Sequence, residues 1–183
     1  MVLQRSVLIL PGLGDSGPGH WQSCWEAGDA RVSRVQQRDW DAPVRDEWVG
    51  TLNKAIEAQR DDVVLVGHST GAILVAHWLL AAHADTIGKV TGALIVAPSD
   101  PQGAHYPAGP SGFDPVPLMK MPFRTIVVAS DDDPYASLAW SLACADAWGA
   151  ESVVLESAGH INVASGHGQW PEGYALLDRL RHG

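Results

Sequence analysis

Gly67-His-Ser-Thr-Gly71 sets a serine between two glycines, with one residue intervening on either side, and that frame is where nucleophilic chemistry can begin. A hydroxyl is a weak nucleophile until a base takes its proton. The base in turn needs a carboxylate to fix its tautomer and to stabilise the cation it becomes. Both partners occur downstream, as Asp131-Asp-Asp-Pro134 and as His160 in Ser157-Ala-Gly-His. Serine, acid, histidine is the chain order expected when the nucleophile rides on a turn from strand to helix. Asp133 is the preferred acid, because Pro134 favours an extended residue before it and then starts a helix. Asp131 and Asp132 remain alternatives, and all three also fit helix capping. His167, in Ser165-Gly-His-Gly168, is a rival base lying farther from the preceding strand.

These side chains need elements that bring them together. Val63 to Val66 is an unbroken apolar run, the pattern of a strand buried on both faces, and Ala72 to Ala84 reads as a helix. The turn between them is a nucleophile elbow, in which Gly67 and Gly71 remove β-carbons that would collide with nearby chain. The first turn of the helix offers free N–H groups, Thr70 foremost, to a developing oxyanion. Ser6 to Leu10 is a second buried strand running into the glycine-rich stretch Pro11 to Trp21. That loop lacks the third glycine of a dinucleotide site and the Gly-Lys-Ser/Thr of a P-loop. It reads instead as an oxyanion loop, with Leu13 supplying the other backbone N–H. His20 through about Glu26 forms an amphipathic helix with Trp21 and Trp25 on one face. His20, Trp21 and His68, beside these two turns, are candidate substrate contacts.

Arg31 to Gln37 alternates like a half-buried strand, and Val44 to Arg60 places Val44, Trp48, Leu52 and Ile56 on one helical stripe. Gly92 to Ala97 and Arg124 to Ser130 are further buried strands, Ser152 to Leu155 the last one. Tyr135 to Trp148 and Pro171 to Leu180 are helices. Between Pro98 and Pro122 no period is visible, and so long a loop in a compact domain is commonly functional. It is the expected wall of a substrate site, with His105, Tyr106 and Phe113 as candidate contacts. Alternation of strand and helix without a repeat predicts an α/β fold, a mainly parallel sheet with helices on both faces.

Size and charge narrow the function. The 183 residues read as one domain spanning 1–183, and the formal charge of −9 without a basic cluster argues against nucleic acid and anionic membrane as partners. The apolar run at Val7 to Leu10 is too short for a signal core or membrane span. Two isolated cysteines, Cys24 and Cys144, suit reduced thiols in a cytoplasmic protein. Eight histidines invite a metal, yet no His-Glu-x-x-His or paired short spacing occurs, so neither metal nor cofactor is expected.

Pro11-Gly-Leu-Gly14 with Gly19-His-Trp21 and Trp25, Gly67 to Gly71, Ser130 to Pro134, Gly159-His160 and Gly166-His-Gly-Gln-Trp-Pro-Glu-Gly173 together resemble the α/β-hydrolase superfamily. More narrowly, they are similar to the compact serine hydrolases that include the animal retinoblastoma-binding hydrolase and bacterial YdeN-type proteins. The resemblance implies an α/β-hydrolase fold without a large cap domain, Ser69, Asp133 and His160 as triad, and hydrolysis of small esters. Pro11-Gly12 stands where larger relatives often carry His-Gly. The expectation is a carboxylesterase acting on a small-molecule ester through an acyl-enzyme. Amidase, thioesterase or peptidase activity is not separated from it by these residues, and a non-catalytic binding protein on the same fold is the alternative of another class.

Overall fold

The computed structural model describes residues 5–182. Its β-branched and leucine runs form six strands, β1 (Ser6–Leu10), β2 (Val32–Arg34), β3 (Val63–His68), β4 (Val90–Val96), β5 (Arg124–Ser130) and β6 (Glu151–Leu155). All pair in parallel, in the order β2-β1-β3-β4-β5-β6. Parallel neighbours require crossovers, and the helices supply them. These are α1 (Trp21–Gly28), α2 (Arg45–Glu57), α3 (Thr70–Ala81), α4 (Ala84–Ile87), α5 (Leu138–Trp148) and α6 (Pro171–Arg181).

Side chains alternate across the sheet and so build two cores. Leu8, Leu10, Leu65, Ala93, Ile95 and Val127 face α2, α3 and α5, against Trp48, Leu52, Ile56, Ile73 and Trp148. Val7, Ile9, Val64, Val66, Leu94, Val96, Ile126 and Val128 face α1 and α6, against Trp21, Trp25, Trp170, Leu177 and Leu180. Both faces of the central β3 are covered, which is why its sequence reads as a continuous apolar run. No helix among the described residues is long and apolar enough to cross a membrane.

Several elements differ from the sequence expectation at their ends. The strand expected over Arg31 to Gln37 is confined to Val32–Arg34, since only these residues lie along β1. The helix expected to reach Ala84 stops at Ala81, where Ala82 turns extended, and α4 restarts beyond His83. α5 begins at Leu138, not Tyr135, because the Ser137 hydroxyl accepts the Trp140 N–H and caps it. Residues 97–123 carry no helix or strand apart from an isolated bridge between Val44 and Ser111. Parallel pairing puts the carboxyl ends of the strands at one edge, so the turns after β1, β3, β4, β5 and β6 all open there.

Candidate active site

Ser69 stands at that edge with φ 58° and ψ −123°, a backbone conformation that side-chain-bearing residues seldom adopt. Close packing holds it there. A β-carbon on Gly71 would lie 2.0 Å from the carbonyl oxygen of Leu10, and one on Gly67 would lie 2.5 Å from that of Gly71. Gly12 is the third tight point, where a β-carbon would come within 2.8 Å of Ser69 Cβ. The strand-to-helix turn and the β1 loop are thus pressed together, with glycine required at the contact. Among the described residues, no backbone carbonyl accepts the N–H of Leu13 or Thr70. Leu13 lines the cleft in front of Ser69, and Thr70 begins α3, whose N-terminal dipole favours negative charge.

The β1 loop owes its shape to buried polar groups. Gln22, fully buried on α1, donates to the carbonyls of Leu10 (3.3 Å) and Val66 (3.0 Å) and accepts from the Ser16 hydroxyl at 2.6 Å. Arg34 pairs with Asp15 within the loop and with Glu26 on α1, and it also donates to the carbonyl of Ser16. A guanidinium this buried survives only because each face meets an acceptor.

The imidazole of His160 and the carboxylate of Asp133 come from the turns after β6 and β5. His160 Nδ1 lies 2.9 and 3.0 Å from the two carboxylate oxygens of Asp133, and both side chains are nearly buried. Asp133 also accepts the Tyr135 N–H at 2.9 Å, which fixes its plane. The other two aspartates have separate duties. Asp131 accepts the N–H of Ser157 at 2.7 Å, and Asp132 accepts that of Gly159 at 2.7 Å. Ser130 takes the N–H of Ala158 at 3.0 Å and donates to Asp132. Those bonds from Ser130 and Gly159 hold the Asp132 carboxyl below its ordinary pKa. The strand end and the three acids therefore grip successive residues of the histidine loop, and only Asp133 reaches the imidazole.

Two buried rings hold the loop from below. The His68 ring nitrogen Nε2 sits 2.8 Å from the carbonyl of His160, and Trp21 Nε1 donates to that of Ile161 at 2.9 Å. A carbonyl only accepts, so His68 carries its proton on Nε2. Burial, reinforced by the neighbouring His160, keeps its pKa well below the ordinary value and the ring neutral. Ile161 has φ 48°, an unusual conformation for a β-branched residue, and the clamp on its carbonyl offsets that strain. His20 caps α1 by accepting the Gln22 N–H on Nδ1. Its pKa is lowered to about 4, by burial first and Arg34 second.

A cleft of about 210 Å³ lies over Ser69, walled also by Gly12, Leu13, Asp15, His20, His68, Pro107, Tyr135, His160 and Asn162. Of the residues anticipated as substrate contacts, His20 and His68 line it. Trp21 does not: it is fully buried and acts as a prop. Phe113 is likewise a core residue, packed edge-on against Trp48 and His77 on the α2/α3 side. His105 is exposed and Tyr106 half-buried, and it is their neighbour Pro107 that reaches the cleft. His167 bonds to Ser165 and packs on Trp170, away from Asp133. Sequence reasoning missed Gln22, Arg34, Tyr135 and Asn162, which carry no motif, and Ser99. Ser99 had a signal, being a polar residue just beyond the end of a buried strand at the site edge. Its hydroxyl lies 2.8 Å from that of Ser69.

A profile of the family described as serine hydrolase matches residues 7–179. The chain belongs to that family. Its structure is similar to that of a YdeN-like hydrolase from Pectobacterium atrosepticum, with 30% identity, a TM-score of 0.84, and 97% of this chain and 91% of that one covered. The ydeN gene product of B. subtilis superposes with a TM-score of 0.70 at 18% identity, covering 96% and 98%. A monoacylglycerol lipase from Paleococcus ferrophilus gives 0.71 at 12%, covering 97% and 94%, a likeness of fold alone. No curated protein sequence matches the chain. The protein is thus a compact serine hydrolase of YdeN type on an α/β-hydrolase fold, and among the described residues no large cap domain covers the cleft.

Proposed function

We propose that this serine hydrolase is a carboxylesterase that cleaves small esters through an acyl-enzyme on Ser69. The observation that carries the reading is the chelated contact of His160 Nδ1 with both oxygens of Asp133. It leaves Nε2 of the same ring as the free proton acceptor in the cleft wall that His160 shares with Ser69. His160 takes the Ser69 proton as the hydroxyl oxygen attacks the ester carbonyl, and the N–H groups of Leu13 and Thr70 receive the negative charge on the carbonyl oxygen. His160 then protonates the departing alcohol. Water, deprotonated by the same ring, releases the acid and restores Ser69.

The modest cleft supports a short acyl group and a small-molecule partner, since pockets for larger ligands run from roughly 300 to 1,000 Å³. Cys24 and Cys144 are unpaired, which supports a reducing, cytoplasmic setting. Fluorophosphonate labelling and turnover of p-nitrophenyl acetate, butyrate and octanoate test the reading. Wild type should label and prefer the shorter chains, and Ser69→Ala should do neither. Equal behaviour of the two proteins in both assays would reject the proposal.

A further inference from the structure

Ser99 lies near the start of the long segment after β4, and its surroundings fix its place. Ala97 before it has φ 46°, a strained value for a residue with a β-carbon, and its N–H is held by the carbonyl of Val128 at 2.8 Å. Asp100 after it donates its N–H to the carbonyl of Tyr135 at 3.1 Å. Tyr135 in turn gives its own N–H to Asp133 and packs its ring edge-on to that of His160, 4.6 Å between centroids. Ser99 is therefore fixed between β5 and the acid-bearing turn. The residue is 1% exposed, and Ser69 Oγ is the hydrogen-bond partner of its hydroxyl.

We infer that Ser99 is a positioning residue for the nucleophile, its hydroxyl donating to Ser69 Oγ so that the Ser69 proton is free to point at His160. This rests on the esterase reading of Ser69. The resting structure pairs Ser69 Oγ with Ser99 and not with His160, and the direction of the bond in the reacting state follows from proton counting. A serine hydroxyl has one proton, and a nucleophile that gives it to Nε2 of His160 can only accept from Ser99. Buried hydroxyls keep a partner because leaving one unpaired is costly, so Ser99 favours the Ser69 rotamer that meets it. The elbow fixes the backbone of Ser69, and Ser99 fixes the one torsion that the elbow leaves free. The same bond recurs once Ser69 Oγ has become an ester oxygen, which has no proton to give and accepts from Ser99. No proton changes owner through Ser99 at any step.

Ser99→Ala removes the donor, Ser99→Cys keeps the volume with a weak donor, and Ser99→Thr restores a hydroxyl. In an experimental structure of Ser99→Ala, Ser69 Oγ should spread over more than one rotamer. Its labelling rate by fluorophosphonate and its kcat on p-nitrophenyl acetate should fall together by about tenfold, with KM within about twofold and the melting temperature retained. Ser99→Cys should follow the alanine variant, and Ser99→Thr should recover most of the loss. A single, unmoved Ser69 rotamer in Ser99→Ala would overturn the inference, as would unchanged kcat and labelling, or a rise in KM alone. Absence of labelling in wild type would reject the esterase reading instead, and the rotamer measurement would still decide the role of Ser99.

Discussion

Two segments leave the same edge of the sheet and flank the same cleft, and they are held in opposite ways. From Ser157 to Ile161 every residue is tied by its backbone or its ring. The N–H groups of Ser157, Ala158 and Gly159 go to Asp131, Ser130 and Asp132, the imidazole goes to Asp133, and the carbonyls of His160 and Ile161 go to His68 and Trp21. The segment 98–122 is pinned at intervals. Asp100 is tied to Tyr135, Ser111 to Pro43 and Arg45, Phe113 to His77, and Met121 to Trp148. Between Gly103 and Ser111, where Pro107 faces the cleft, no backbone hydrogen bond reaches the body of the protein among the described residues. A catalytic base must sit within a fraction of an ångström of its position, whereas a wall that selects substrates tolerates adjustment. The first segment should therefore govern kcat, and the second KM and selectivity.

The widest separation of the two is expected from Asp133→Asn, which keeps the shape of the acid but cannot hold the productive tautomer of His160. By analogy with the serine-protease triad, kcat should fall about 10³- to 10⁴-fold with little change in KM. Steady-state kinetics on p-nitrophenyl acetate measure this, and a loss under tenfold would break the contrast.

A milder and sharper probe is Trp21→Phe, which keeps most of the buried ring but leaves the Ile161 carbonyl without its donor. An unsatisfied buried acceptor costs about 1–3 kcal/mol, read as a lower denaturation midpoint. With the strained turn released, kcat should drop about tenfold while KM holds.

Acid should act on the same side of the cleft. His20 and His68 are buried and neutral, with pKa values lowered in the fold, to about 4 for His20. Unfolded, each binds a proton near pH 6.5, so the stability they confer is complete above that value. It shrinks as pH falls, because only the unfolded chain takes up the protons, and for His20 the loss is complete below about pH 4. That loss is on the order of 3 kcal/mol for His20. His20→Asn keeps a capping side chain without the titration, and its denaturation midpoint should fall less steeply than wild type between pH 7 and pH 4.

The smallest effect belongs to the wall. The Tyr106 hydroxyl is buried beside that of Thr70, and neither is in proper hydrogen-bond geometry with a partner among the described residues. Tyr106→Phe should leave kcat within about twofold and stability equal or slightly higher, because a buried polar group without a bond is no asset. A large loss of kcat would instead place this wall among the groups that stabilise the oxyanion.

How much of this was legible beforehand follows the same division. β3 and the elbow were readable because burial on both faces leaves an unbroken apolar run, and because close backbone approach forces glycine at positions 67 and 71. The order of Ser69, the aspartate cluster and His160 was readable because each follows a strand. Pro134 pointed to Asp133 as the partner of His160, but the tasks of Asp131 and Asp132 were not readable, since neighbouring carboxylates differ only in the direction the turn points them. Trp21 and Phe113 were mistaken for substrate contacts because an aromatic beside a loop has the same sequence signature whether it faces solvent or core. Gln22 and Arg34 left no trace, their partners being distant carbonyls and acids that only the fold assembles.

Trp21 stands near the front of the chain, 140 positions before the carbonyl it supports, and its ring is itself boxed in by Trp25 and by Trp170 at the start of α6. During synthesis the imidazole turn would emerge before the ring that seals its prop. Removing α6, whose first turn follows Trp170, would loosen that box and with it the support of the imidazole turn, from behind and without touching the cleft.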